Sequence, residues 1–184
     1  TRLQGDWSSD VCSSDLTNKT LSLTNVVVSN CSASSGIGGE GAGVYLFNNG
    51  AGGTVSLSAT NCTFNGNSAE ESGGAIFIDG GATSTLVLSK CNFYDNSSTS
   101  SFGGALAVRD GVSTITNCLF YENTIVNPGL VGTLHFAVGG THTINHSTIV
   151  DNLTGGAGST GVVVVGGSVN IENSIVYGNA NADL

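Results

Sequence analysis

The chain has 184 residues and a formal net charge of -9, yet only 9% of its residues are charged, and Arg2, Lys19, Lys90 and Arg109 are its only lysines and arginines. So few cations argue against nucleic acid as a partner. With 28 Gly, 1 Pro and 7% aromatic residues it lacks the side-chain volume of a single globular core, and no apolar run approaches the roughly 20 residues that span a bilayer.

Residues 1–16 stand apart from the rest. The stretch Asp6-Trp7-Ser8-Ser9-Asp10-Val11-Cys12-Ser13-Ser14-Asp15-Leu16 resembles the translation of a common short-read sequencing adapter fused in frame, holds the single Trp and fits no repeat register. It is set aside as non-native, so Trp7 and Cys12 carry no argument. The chain begins without Met and without a charged-then-apolar leader. Residues 17–184 therefore read as a piece of a longer protein, incomplete at both ends.

From Thr17 onward short β-type runs recur between glycines and Ser/Asn clusters, with no sustained 3.6-residue apolar period. One unit offers Val55-Ser56-Leu57-Ser58, then Cys62-Thr63-Phe64, then Ala75-Ile76-Phe77-Ile78. The next offers Leu86-Val87-Leu88, Cys91-Asn92-Phe93 and Ala105-Leu106-Ala107-Val108. The clearest cassette, Cys62-Thr63-Phe64-Asn65-Gly66-Asn67, returns as Cys91-Asn92-Phe93-Tyr94-Asp95-Asn96 and as Cys118-Leu119-Phe120-Tyr121-Glu122-Asn123.

Two anchors set the period. Its last Asn gives Asn67, Asn96, Asn123, Asn152 and Asn179, preceded by Cys31 as a substitution, at intervals of 36, 29, 27, 29 and 27. The glycine before the apolar run gives Gly43, Gly74, Gly104, Gly132 and Gly161. Periods of this size belong to solenoids, in which each unit buries its apolar face on its neighbours. The expected fold is all-β: a right-handed parallel β-helix of about five to six coils with three short strands per coil.

Phe-x-x-Asn (Phe64 to Asn67, Phe93 to Asn96, Phe120 to Asn123) alternating with Gly-Gly-Ala-Ile/Leu (Gly73 to Ile76, Gly103 to Leu106) resembles the polymorphic outer membrane protein repeat. The resemblance spans roughly Leu21 to Leu184, and later coils drift to Val131-Gly132-Thr133-Leu134 and Thr160-Gly161-Val162-Val163. Similar repeats occur in secreted bacterial β-helix proteins, including surface-anchored ones and relatives of pectate lyases. The resemblance implies an extracellular or bacterial outer-membrane location and adhesin-like or autotransporter-passenger-like display. Carbohydrate or a cell-surface protein would then be the partner, with no membrane span in this stretch.

Strand alternation turns the cassette into columns. Val26, Cys62, Cys91, Cys118, Ser147 and Ser174 form one inward column, and Val28, Phe64, Phe93, Phe120, Ile149 and Val176 another. Parallel stacking points the thiols along one direction, which favours free thiols over a disulfide. Asn67, Asn96, Asn123, Asn152 and Asn179 are expected to form an asparagine ladder at a turn, where Asn tolerates the left-handed backbone.

Beside the ladder run the carboxylates Asp95, Glu122 and Asp151, which repel one another unless they are solvated or bridged by a cation such as Ca²⁺. No other cofactor is implied. The outward Tyr94, Tyr121 and Tyr177 could stack on sugar rings or serve as ordinary β-formers.

An enzyme would need a polar constellation at the end of the glycine-led strand, where Asn48, Asp79, Arg109, Ala137 and Gly166 align. Pectate-lyase-like chemistry, as the resemblance implies it, uses acidic Ca²⁺ ligands and an Arg or Lys base, for which Asp79 and Arg109 are the candidates. Glycoside hydrolysis needs two converging carboxylates, and the Asp79 column supplies one. His135, His142 and His146 find no repeated acidic or serine partner in the alignment. The reading is a display or adhesion region, with the polysaccharide-degrading enzyme as the alternative.

Overall fold

The structure is a computed structural model that describes residues 2–4, 20–34, 39–48, 54–100, 102–126, 132–154, 160–180 and 182–184. Within them the chain is a parallel β-helix without helices. The first coil runs through β2 (Thr20–Thr24), β3 (Val27–Ser29), β4 (Ser32–Ala33) and β5 (Val44–Phe47). The second repeats the order as β6 (Ser56–Thr60), β7 (Thr63–Asn65), β8 (Ser68–Ala69) and β9 (Ile76–Asp79). The third is β10 (Thr85–Ser89), β11 (Asn92–Tyr94), β12 (Ser97–Ser98) and β13 (Leu106–Val108).

The fourth coil is β14 (Val112–Thr116), β15 (Leu119–Tyr121), β16 (Thr124–Ile125) and β17 (Gly132–Phe136). The fifth is β18 (Thr141–Asn145), β19 (Thr148–Val150), β20 (Leu153–Thr154) and β21 (Thr160–Val164). Then β22 (Ser168–Glu172) and β23 (Ile175–Tyr177) begin a sixth. The strands stack in register into four parallel sheets, here A to D in the order in which the chain crosses them.

Each coil thus has four strands rather than the expected three. The extra one, in sheet C, is two residues long, as at Ser68–Ala69, too short for any alternation to register in the sequence. A seventh strand of sheet A, β1 (Arg2–Gln4), pairs in parallel with β2, Arg2 opposite Ser22. Residues 2–4 thus pair in the coil register, while Asp6 to Leu16, the stretch that fits no repeat register, lies outside the described residues.

Sheet A strands alternate as expected, Leu57 and Ala59 inward against Leu86 and Leu88. Inward from sheet B, Phe64, Phe93 and Phe120 are fully buried and stack face to face, ring centroids 4.7 and 4.6 Å apart. At that spacing each ring covers the next, and Leu57, Ile76, Leu86 and Leu106 fill the core from sheets A and D.

The glycine motif has a local cause. Gly73 and Gly103 turn the chain into sheet D at φ of 64° and 68°, and a Cβ on Gly74 would collide with the Gly104 carbonyl of the next coil. Register along this column departs from the even spacing in the sequence. Gly74, Gly104 and Gly132 stack, but Val44 pairs with Ile76 and Leu134 with Val162, which sets Gly43 opposite Ala75 and Gly161 opposite Thr133.

Candidate functional site

The connections between sheets separate scaffold from site. From sheet A to B and from B to C, every connection among the described residues is two residues long, as at Asn61 and Cys62 or Gly66 and Asn67. From C to D they run ten, six, seven, six and five residues, and from D to A eight, five, three, four and three. All variation in coil length flanks sheet D.

The two invariant corners are held by ladders. In the corner between B and C, Asn67 Nδ2 donates to Asn96 Oδ1 at 2.8 Å, Asn96 to Asn123 at 2.9 Å, Asn123 to Asn152 at 2.9 Å and Asn152 to Asn179 at 2.7 Å. Each Oδ1 also accepts the backbone N–H of the preceding ladder residue, the first being Cys31, and each Nδ2 donates to a carbonyl of the preceding coil, such as Phe93 O at 2.9 Å from Asn123. Asp183 closes the series, accepting from Asn179 N and Nδ2 at 3.1 Å.

The left-handed residue of this corner is not the ladder Asn but the one before it: Asn30, Gly66, Asp95, Glu122, Asp151 and Gly178 all have φ between 53° and 68°. That conformation throws its own side chain outward and the following amide inward, where the amide is buried. Asp95, Glu122 and Asp151 are accordingly exposed corner residues, strung along the solenoid one per coil. Among the described residues no three His, Cys, Asp or Glu side chains gather in a metal-holding arrangement.

The corner between A and B carries a second ladder. Cys62, Cys91 and Cys118 are buried free thiols, each donating to the carbonyl two residues earlier at 3.3 to 3.4 Å. Cys118 Sγ accepts the N–H of Cys91 at 3.5 Å, Ser147 Oγ that of Cys118 at 3.1 Å, and Ser174 Oγ that of Ser147 at 3.0 Å. Thiol and hydroxyl serve the same bonds, which explains how the column changes from Cys to Ser. The hydrogen bond from its neighbour and burial raise the Cys91 thiol to about 11, so it stays protonated at neutral pH.

On the outer face of sheet B, Tyr94 and Tyr121 stack with centroids 5.1 Å apart. Val150 separates them in register from Tyr177, which is 68% exposed. The three tyrosines therefore present a stacked pair and an isolated ring, not one continuous platform.

The outer face of sheet D is different. Its outward column is Tyr45, Phe77, Ala107, His135 and Val163, and Phe77, Ala107 and His135 are buried although they point away from the core. A groove of about 510 Å³ lies over them. Glu40, Glu71 and Ser72 line it from the segments entering sheet D, Phe102 from the next such segment, and Arg109 and Val138 from the segments leaving. Volumes of this order suit a small ligand or one side chain of a partner.

Asp79 and Arg109 meet here as the alignment required: Arg109 Nη1 donates to Asp79 Oδ2 at 3.2 Å, in an ion pair whose arginine is exposed and whose aspartate is mostly covered. Their column neighbours differ from the alignment by one residue at its ends, because Phe47 rather than Asn48 pairs with Asp79, and Val164 with Phe136. Glu40 has its carboxyl raised, first by burial and then by Glu71 and Asp79, against a lowering hydrogen bond from Tyr45. Tyr45 in turn stacks on Phe77 at 5.6 Å.

His135 is 1% exposed and neither ring nitrogen has a hydrogen-bond partner. Phe102 stacks over it at 4.3 Å. Desolvation lowers its pKa to about 4, so the imidazole is neutral at physiological pH. Glu40, Glu71, Phe77, Phe102 and His135 went unread as a site in the sequence. The available signal was a large or polar residue at an outward register position beside a connection of variable length.

His142 has a serine partner in the fold, a single contact rather than a repeated one. Ser113 Oγ lies 2.8 Å from His142 Nδ1, and Nε2 lies 3.3 Å from Gly139 O. Nε2 therefore carries the proton and Nδ1 accepts from the serine. Both sit in the inward column of sheet A, fully or nearly buried, with the imidazole stacked on Phe136 at 4.3 Å. The serine hydroxyl is satisfied inside the core, and neither residue lines the groove over sheet D. Comparison of the chain with family models, with curated proteins and with solved structures finds no match.

Proposed function

We propose that the chain is a repeat region of a secreted or cell-surface β-helix protein, adhesin-like or autotransporter-passenger-like, whose work is structural display and binding of glycan or protein partners. The supporting observation is the confinement of length variation to the two connections around sheet D, beside the groove over its outer face. A rigid laddered scaffold with variable segments on one face is the usual arrangement of a binding surface. The Tyr94–Tyr121 stack offers a second aromatic surface suited to a sugar face.

The test is adhesion of beads coated with the chain to surfaces bearing glycans or matrix proteins. Retention that drops several-fold in Phe102→Ala or in Tyr94→Ala/Tyr121→Ala supports the reading; retention equal to that of uncoated beads sinks it. The rival, a polysaccharide lyase or glycoside hydrolase of the pectate-lyase-like kind, is favoured by the Asp79–Arg109 pair at the groove. Turnover of polyuronate, followed through the absorbance of its unsaturated product and abolished by Arg109→Ala, would replace display with catalysis.

A further inference from the structure

Three features of the sheet D groove serve no ladder. Glu40 and Glu71 line one side, and the Glu71 charge disfavours ionisation of the already desolvated Glu40. Among the described residues the only ion pair is Arg109–Asp79, so the one cation at the groove is already matched. Below Phe102 lies an imidazole with both nitrogens unpartnered at 1% exposure. Buried polar atoms normally have partners, and an orphaned pair at the floor of a groove marks a place where a ligand supplies them.

We propose that this groove receives a basic side chain of a protein partner, a lysine or arginine whose aliphatic arm lies between Phe77 and Phe102 and whose charged head meets Glu40, Glu71 and the acceptor nitrogen of His135. An ammonium carries three donors and no acceptor, and a guanidinium five donors. The groove offers the converse, two carboxylates and an imidazole acceptor. Aromatic faces add attraction for a cation that has left water. The neutral state of His135 removes the repulsion a charged imidazole would bring. The chain's net charge of -9 draws a basic partner toward it over longer range.

A neutral sugar would fill the same volume but would leave two carboxylates uncompensated. An acidic ligand would meet them directly. This inference names the partner chemistry within the binding reading, and it fails separately from it. A groove that rejects cations leaves adhesion through other surfaces standing, whereas polyuronate turnover would remove the display reading without bearing on the cation.

The experiment is a titration of the whole chain with N-acetyl-lysine methylamide, following the ring resonances of His135 and Phe102. N-acetyl-norleucine methylamide serves as the uncharged isostere and a methyl glycoside as the sugar probe. The expected result is a saturable shift with lysine, at least ten-fold weaker with norleucine, weakened by salt, and reduced about ten-fold in Glu40→Gln/Glu71→Gln. Unchanged Phe64, Phe93 and Phe120 resonances in that variant establish that it is folded. Equal response to lysine and norleucine, a shift with the glycoside in place of lysine, or no saturable shift would each overturn the proposal.

Discussion

The corner between sheets B and C and the outer face of sheet D lie on the same coils and follow opposite rules. At the corner each described connection is two residues, every ladder amide is bonded, and the coils on either side supply the partners. At sheet D the connections vary from three to ten residues, and a histidine is buried with no hydrogen-bond partner. Chain length changes only in the connections that carry no side-chain ladder, although backbone hydrogen bonds still join the coils there. The face that tolerates variation is therefore also the face on which a single, unrepeated constellation can be built.

The sharpest way to break this comparison is to cut the ladder. Asn123→Ala removes the acceptor of Asn96 N and Nδ2 and the donor to Phe93 O and Asn152 Oδ1, all buried. Stability should fall by about 3–5 kcal/mol, since each orphaned buried group costs roughly 1 kcal/mol or more. Thermal or denaturant unfolding measures it, and a loss below about 1 kcal/mol would mean that the ladder is ornamental.

Next in size is the acid response of the sheet D face. His135 stays neutral in the folded chain down to about pH 4 but takes a proton near pH 6.5 when unfolded. Between those values the unfolded state binds more protons, so this residue makes stability fall as pH falls from about 6.5 to about 4, by about 3 kcal/mol in total, and no further below. His135→Phe should lack this slope. Parallel stability-versus-pH curves for the two proteins would contradict the burial of an uncharged imidazole.

The thiol ladder gives a smaller, chemically selective effect. Cys118→Ser keeps an acceptor for Cys91 N–H and a donor to Thr116 O and should cost less than about 1 kcal/mol, as Ser147 and Ser174 already show the hydroxyl in this column. Cys118→Ala leaves the Cys91 N–H orphaned and should cost about 1–3 kcal/mol by the same unfolding measurement. Smallest of all is Arg109→Ala, which breaks an ion pair whose arginine is 59% exposed and should change stability by only about 0.2–1 kcal/mol.

Much of the scaffold was legible in the sequence because it is both local and repeated. Strand alternation sends Cys62 and Phe64 the same way, and the even spacing of Cys-x-Phe-x-x-Asn stacks them on Cys91 and Phe93. The ladder asparagines followed from the same period. The left-handed residue was misplaced by one, onto Asn rather than onto Asp95, Glu122 and Asp151, because spacing says where a corner falls but not which residue turns it. Two-residue strands such as Ser97–Ser98 were missed because they leave no periodic trace.

The sequence by itself thus determined the parallel β-helix, its period and its inward columns, since these depend on alternation within a strand and on one repeated distance. Only the tertiary structure decided that Phe77, Ala107 and His135, outward by alternation, are nevertheless covered, that Glu40 and Glu71 face them, and that Ser113 meets His142 inside the core. Those outcomes depend on the path of connections of unequal length and on register shifts of one residue at Gly43 and Gly161. Such paths are chosen by packing between coils, and no residue pattern within a single coil encodes them.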